Sequence, residues 1–293
     1  MILVTGGSGF IGSHIVDKLI EHGFDVKVFD KMKPLRDDVE WVQGDLMNNE
    51  DALLACRDVQ VVFHLAAVAD VNLAVSHPER CLDVNENGTV RLLKAAVASE
   101  VERILLASST WVYGQANGVV DESSPIPMPG HVYTKSKVGQ EHLVYCWFKS
   151  YGLPYTILRY GIPYGPRMRS NMVIATFVRK MLRGEPITIF GDGNQGRCFI
   201  YVEDLAEGNV AAIKESGKNE IFNLAGKEFV TINQIVENLR QIFGEIDARY
   251  DNSRSNDFKG ARVDIKKAKR LLGWAPNTPF EIGLRKYVEY IKQ

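Results

Sequence analysis

Apolar residues fall in short runs separated by longer amphipathic stretches along the first half of the chain. Ile2–Val4, Val26–Phe29, Val61–Leu65 and Ile104–Leu106 are too short for helices and read as buried strands, with helical patterns between them. This alternation predicts parallel strands joined by right-handed helical crossovers, hence an α/β fold on a doubly wound parallel sheet covered on both faces. Tyr155–Arg159 continues the series. Beyond about Tyr160 the rhythm breaks: Pro163, Gly165 and Pro166 punctuate a loop, and Gly191-Asp192-Gly193-Asn194 marks a tight turn after the run Ile187–Phe190. Phe199–Val202 and Ile221–Leu224 are again short and apolar and are expected to return to the main sheet, whereas Thr231–Gln293 reads as mostly helix. The expected organisation is discontinuous. Residues 1–160 with about 199–225 form the sheet domain, and about 161–198 with 226–293 form a smaller, mostly helical one.

A length of 293 residues suits two compact units at roughly 100–200 residues each. Lys and Arg number 35 against 36 Asp and Glu, so no global positive field exists to hold nucleic acid or an acidic membrane. No apolar run approaches the roughly 18–20 residues of a membrane helix. Met1-Ile2-Leu3-Val4 already reads as a strand, which leaves no room for a targeting segment ahead of the fold. Cys56, Cys81, Cys146 and Cys198 lack paired spacing, so neither a zinc site nor a disulfide framework is expected, and a reducing cytoplasm fits. Lys266, Lys267, Lys269 and Arg270 read as a solvated helix face.

The strongest local signal is Thr5-Gly6-Gly7-Ser8-Gly9-Phe10-Ile11-Gly12, directly after a strand and before the amphipathic stretch Ser13–Glu21. Glycines in that context let the chain turn tightly, approach a pyrophosphate without Cβ interference, and aim free helix N–H groups at the anion. Gly7, Gly9 and Gly12 fit one dinucleotide spacing, and Gly6, Gly9 and Gly12 the wider one. Asp30 ends the second strand, where a carboxylate accepts ribose hydroxyls and repels a 2′-phosphate. NAD is therefore expected rather than NADP, although Lys31 and Lys33 soften the preference. Asp45, in Gly44-Asp45-Leu46, has two readings: a partner for the adenine amino group, or a helix N-cap. His64-Leu65-Ala66-Ala67 ends the fourth strand with small residues that admit a cofactor, and His64 itself reads as a satisfied core histidine.

Tyr133 and Lys137, in Tyr133-Thr134-Lys135-Ser136-Lys137, stand four apart and share one helix face. A tyrosine with a reference pKa of ~10 is a poor base near neutrality, but an adjacent ammonium and an oxidised nicotinamide favour the phenolate, which makes a proton shuttle. Ser109 follows the strand Ile104–Leu106 at its carboxyl end, where open α/β sheets place ligands, and a serine there equally suits the cap of a turn.

Thr5–Gly12, Asp30, Asp45, His64–Ala67, Asn85 with Gly88 and Thr89, Ser108–Gly114, Tyr133–Lys137, Arg159–Arg167, Arg197–Asp204 and Lys266–Trp274 span essentially the whole chain. Together they resemble the extended short-chain dehydrogenase/reductases of Rossmann fold, and within them the NAD-dependent nucleotide-sugar epimerases and dehydratases, UDP-glucose 4-epimerase type. The resemblance implies that Ser109 hydrogen-bonds the reacting sugar oxygen, Tyr133 is the acid/base and Lys137 holds the nicotinamide ribose. It implies that Gly6, Gly9, Phe10, Ile11, Asp30, Asp45, Leu46, Leu65, Ala66, Ala67, Ser108 and Tyr160 line the NAD, and that Asn85 orders the site. It further implies a nucleotide site in which Arg197 and Arg254 pair with the pyrophosphate, Asp257 accepts a ribose hydroxyl, and Thr188 and Phe190 border the base. The planar fork of Arg suits phosphate.

Departures from the family pattern select among its chemistries. Dehydratases and decarboxylases of the family carry an acidic residue just before Val-Tyr-Gly, where this chain has Thr110 and Trp111. The simpler epimerase cycle remains, in which Tyr133 takes a sugar hydroxyl proton, hydride passes to NAD, and a 4-keto intermediate turns over before hydride returns. Ile162 replaces the usual Asn and removes a polar contact, which points to an atypical substrate, whereas Cys198 in place of the usual Asp reads as a small buried substitution. A net NAD(P)-dependent reductase of a keto-sugar nucleotide or another carbonyl uses the same Ser109, Tyr133 and Lys137, and a non-catalytic NAD sensor is the third reading. The resemblance also implies a homodimer through helices at about Asn87–Ser99 and Tyr133–Lys149. Leu92, Leu93, Ala96, Leu143, Cys146 and Trp147 then form either that interface or core.

Overall fold

Strand β1 (Ile2–Thr5) is buried along its whole length and pairs in parallel on both sides, as a central strand must. It comes from a computed structural model that describes residues 1–116, 118–252 and 260–293. The sheet continues with β2 (Val26–Asp30), β3 (Glu40–Gln43), β4 (Val61–His64) and β5 (Arg103–Ser109). After the short β6 (Val119–Val120) come β7 (Tyr155–Tyr160) and, later, β12 (Glu220–Leu224), which complete seven parallel strands in the order β12-β7-β5-β4-β1-β2-β3. The chain leaves β1 in one direction and returns beside it as β4. That reversal opens a crevice at the carboxyl ends of the two strands, the position at which doubly wound sheets bind ligands.

Helices α1 (Phe10–Glu21), α2 (Asn49–Cys56), the short α3 (Val71–Ser76) and α4 (Pro78–Leu82), α5 (Gly88–Ala98) and α6 (Val132–Tyr151) carry the crossovers. Alternate strand residues feed opposite faces. Val4, Val28 and Phe63 pack with Ile15 and Leu19 of α1, while Leu3, Phe29 and Val62 pack with Leu92 and Leu93 of α5 and Val144 of α6. Leu92, Leu93 and Ala96 are thus core, and the interface reading of these three is not available to them.

The segments after β7 build a third apolar cluster around Tyr164, Phe177, Phe199, Leu239, Phe280 and Tyr287. It gathers β8 (Ile162–Tyr164), α7 (Val173–Leu182), β9 (Ile187–Phe190), β10 (Gly196–Arg197) and β11 (Phe199–Tyr201). Its later members are β13 (Val230–Thr231), α9 (Ile232–Phe243), β14 (Ala248–Asp251) and α11 (Phe280–Lys292), whereas α8 (Val202–Ala211) and α10 (Lys266–Leu272) pack on the sheet face that holds α1, and β15 (Arg262–Val263) pairs with β6. Only one of the two segments expected to rejoin the main sheet does so. β12 pairs with β7, but β11 pairs in parallel with β8 in a separate two-stranded sheet, because both flank the loop that turns away from the end of β7.

Two boundaries differ from the sequence reading for physical reasons. β5 runs through Ala107, Ser108 and Ser109, since Ser108 and Ser109 continue the ladder opposite Arg159 and Tyr160 of β7 and find buried polar partners. The helix expected from Asn87 starts as α5 at Gly88, after a π-helical turn at Asp83–Asn87 whose wider ring accompanies the inward, fully buried Asn85.

Candidate active site

The glycine turn between β1 and α1 is shaped by what a side chain would strike. Gly6 has φ +71°, and a Cβ there would lie 2.9 Å from the backbone nitrogen of Ala66, while a Cβ on Gly12 would lie 2.1 Å from the carbonyl oxygen of Gly6. Gly9 caps α1 without a side-chain hydrogen bond, and the first turn of the helix carries no acidic residue. The helix N-terminus therefore presents backbone N–H groups and partial positive charge to a cradle of bare backbone, which fits a dinucleotide pyrophosphate. Leu65 and Ala66 form the facing wall, their N–H groups fixed by Thr5 Oγ1 at 3.2 and 3.1 Å, and Ala67 follows half-buried.

Asp30 ends β2, accepting from the backbone N–H groups of Ser8 and Met32, each at 3.0 Å. Its carboxylate is thereby aimed beside the glycine turn. Lys31 pairs with Asp45 and Lys33 with Asp37, both at 2.7 Å, so each of the two cations that blurred the choice between NAD and NADP has its own carboxylate. Asp45 is not the cap of α2: Asn48 is, its side chain accepting from Glu50 N. Asp45 instead accepts from Met47 N at 3.0 Å and meets Lys31; burial raises its pKa, but the hydrogen bonds from Lys31 and Met47 N together with the charges of Lys31 and Arg80 lower it on balance. Leu46 is buried in the core beneath this corner.

Phe10, Ile11, Ser108, Ser109, Trp111, Tyr133, Tyr160, Ile162, Arg169, Thr188, Phe190 and Arg197 line one cleft of about 580 Å³ between the sheet and the third cluster. Ser109 Oγ accepts from Trp111 N at 3.2 Å and lies close enough to the Tyr133 phenol to favour its ionised form. Burial pushes Tyr133 up to about 12, against the opposing pull of Ser109 and of the Arg169 charge. Lys137 lies one helical turn further along α6, buried, with Nζ donating to the Ala107 carbonyl at 2.8 Å. Burial lowers its pKa to about 8, opposed by the fields of Cys81 and Glu141. His131 caps α6 and stacks against Tyr133 at 6.2 Å, and Trp111 meets the His131 ring edge-on at 5.2 Å. An aromatic wall of Trp111 and His131 thus stands beside Tyr133.

Asn85 is buried away from the cleft. Its amide accepts from Val68 N at 2.7 Å and donates to Ser136 Oγ at 2.9 Å, so it orders the loop after β4 against α6 instead of facing a ligand. Tyr160 borders the cleft with its ring, while its hydroxyl donates to Asn209 Oδ1 in the core. Arg254 and Asp257 lie outside the described residues.

The sequence reading missed several residues here. Arg169 donates to the Ala69 carbonyl at 3.2 Å and approaches Asp70 at 3.8 Å, and Asn171 donates to Asp70 Oδ2 at 2.6 Å. Glu141 receives Arg159 and Ser108 in a buried network. Another set ties the cofactor helix to the loop after β8: Arg167, at φ +65°, pairs with Asp17 at 2.7 Å and donates to Ser13 Oγ at 3.2 Å, and His14 Nε2 meets the Pro166 carbonyl at 3.0 Å. Among the described residues no group of three or more His, Cys, Asp or Glu could hold a metal ion.

The model of the NAD-dependent epimerase/dehydratase family matches residues 2–225, from β1 through the glycine cradle and the Tyr133–Lys137 pair to the end of β12. The chain belongs to this family. It is an NAD-dependent enzyme of the epimerase kind, and the cradle at Gly6–Gly12 with Asp30 is the part that fits NAD. A UDP-glucuronate 4-epimerase of Thermodesulfobacterium geofontis is 34% identical, covering 99% of this chain and 96% of its own. The UDP-glucose 4-epimerase of Thermotoga maritima, solved with UDP-glucose, superposes with a TM-score of 0.94 at 36% identity over 99% of this chain and 98% of its own. The UDP-glucuronic acid 4-epimerase of Bacillus cereus, solved with UDP-glucuronic acid and NAD, gives 0.93 at 33% identity over 100% and 99%.

Proposed function

We propose that this protein interconverts UDP-sugars epimeric at C4 through a transient 4-keto sugar. The observation that carries the reading is the convergence of Ser109 and Tyr133 on one cleft, with Lys137 one helical turn along α6 and Trp111 rather than a carboxylate facing Tyr133. When bound, NAD supplies the hydride acceptor and donor. Ser109 orients the sugar hydroxyl, and Tyr133 removes its proton and later returns it. The Lys137 ammonium stabilises the phenolate, opposing the burial that holds Tyr133 near 12 in the protein alone. With no acid at Thr110 or Trp111, elimination and decarboxylation lack their extra catalyst. The sheet unit holds the dinucleotide, and segments 161–198 and 226–293 hold the nucleotide of the substrate.

Arg169 favours a second reading of the sugar itself. It lines the cleft within electrostatic reach of Tyr133, and a C6 carboxylate would compete with Asp70 for its guanidinium. UDP-uronic acids are then preferred over neutral sugars, in line with the relatives named for UDP-glucuronate.

The test is incubation with UDP-glucose, UDP-galactose and their N-acetyl and uronic acid counterparts, with NMR of the epimers and cofactor absorbance followed together. Epimer exchange without net NADH is expected, fastest with a uronic acid, and Arg169→Leu should remove that preference while sparing UDP-glucose. Reduction of a keto-sugar with stoichiometric loss of NADH would make the protein a reductase, and tight NAD binding without turnover would make it a sensor. We further place the enzyme in the cytoplasm, where its four cysteines, all free, stay reduced.

A further inference from the structure

Glu141 follows Lys137 by four residues and Tyr133 by eight, so α6 carries all three along one face. Its side chain is 4% exposed and fully engaged. Arg159 grips it as a fork, Nη2 to Oε2 at 2.7 Å and Nε to Oε1 at 3.0 Å, and Ser108 Oγ donates to Oε1 at 2.5 Å. Arg159 also donates to Tyr113 at 3.0 Å, and Tyr113 donates to Asn223 Oδ1 at 2.7 Å. A buried ion pair contributes little net stability compared with apolar residues of similar volume, so its place beneath the reacting groups asks for another account. Ser108 is the neighbour of Ser109 on β5, and Lys137 donates to the residue before it, Ala107.

We propose that Glu141 is a positioning residue for the Tyr133–Lys137 pair, its carboxylate clamping the Ser108–Ser109 end of β5 while serving as counter-charge to the Lys137 ammonium. The groups around Lys137 leave few other candidates for that role. His64 from β4 is neutral, with burial holding its pKa near 3; Cys81 from α4 has its thiol pKa raised by burial; and Arg159 from β7 is already held by Glu141. Tyr133 faces Ser109, His131, Trp111 and the cation of Arg169. With Glu141 neutral, Lys137 sheds its proton at lower pH, the phenolate loses its cation, and Tyr133 ionises at higher pH.

The inference rests on the proposed epimerase chemistry, and its test separates the two. In NAD-loaded Glu141→Gln, the tyrosinate absorbance assigned by subtracting Tyr133→Phe should move up by about one pH unit. The rising limb of kcat/KM should follow it, with kcat at neutral pH down about tenfold and KM little changed. Glu141→Asp, which keeps the charge, should restore most of the midpoint. Should Glu141→Gln fail to fold, Glu141→Gln with Arg159→Met removes both buried charges and should show the same upward shift. An unmoved or lowered tyrosinate midpoint in a folded variant overturns the proposal, whatever happens to kcat. The titration needs no turnover, so absence of epimer exchange in the unaltered protein would refute the functional reading and leave this one decidable.

Discussion

His64 illustrates how donor counting fixes a protonation state. Thr5 Oγ1 already accepts from Leu65 N and Ala66 N, so its proton goes to His64 Nδ1, and Nε2 then donates to Thr89 Oγ1 at 2.8 Å. Burial lowers its pKa from 6.5 to about 3. The unfolded chain thus binds a proton that the folded one refuses, and stability should fall as pH drops from 6.5 toward 3, by about 1.4 kcal/mol per pH unit. Urea unfolding at stepped pH checks this, and His64→Asn should flatten the acid limb while lowering stability at neutral pH. Tyr133→Phe should cut kcat about 10²–10⁴-fold while leaving NAD binding intact, measured by turnover and by cofactor retention on gel filtration. Tyr133, Lys137 and Ser109 were legible in the sequence because helical period and strand end fix where such side chains point. Glu141 was not, since a glutamate one turn from a lysine ordinarily reads as a solvated pair; its burial is decided by Arg159, distant in sequence. Arg169 escaped for a similar reason, its place in the cleft being set by a loop whose path no periodicity encodes.

At the scale of elements, the strand–glycine–helix unit combines sequence and geometry most tightly. Gly12 stands inside α1, where alanine would ordinarily help by about 1 kcal/mol. Here its Cβ would meet the Gly6 carbonyl at 2.1 Å, so Gly12→Ala should instead destabilise by about 1–3 kcal/mol and lower the NAD that copurifies, read by thermal melting and by cofactor release. The sheet strands were legible as short apolar runs. The polar end of β5 and the π-helical turn before α5 were not, because both exist through side-chain partners on other elements. Asp45 failed as a helix cap on a local margin of three residues, Asn48 standing nearer the helix start.

Across the whole molecule, the reversal of chain direction beside β1 and the third apolar cluster opposite it create the cleft, and the sheet order follows from the strand–helix rhythm. The short paired strands of the second half were legible only in part, since runs of two to four residues gain their identity from pairing. A homodimer remains our expectation, now through α6 alone: His142, Tyr145, Cys146 and Lys149 are exposed on that helix, with Leu143 and Trp147 half-buried beside them. Light scattering should give twice 32.8 kDa, and Tyr145→Glu should return the monomer. The tie between α1 and the loop after β8 bears on how the enzyme is assembled. The helix that receives the dinucleotide also anchors, through His14, Ser13 and Asp17, the loop that carries Met168 and Arg169 into the sugar side of the cleft. That helix is therefore a shared beam: any displacement of it is transmitted to both sides of the cleft, so the cradle and the loop stay in one mechanical register.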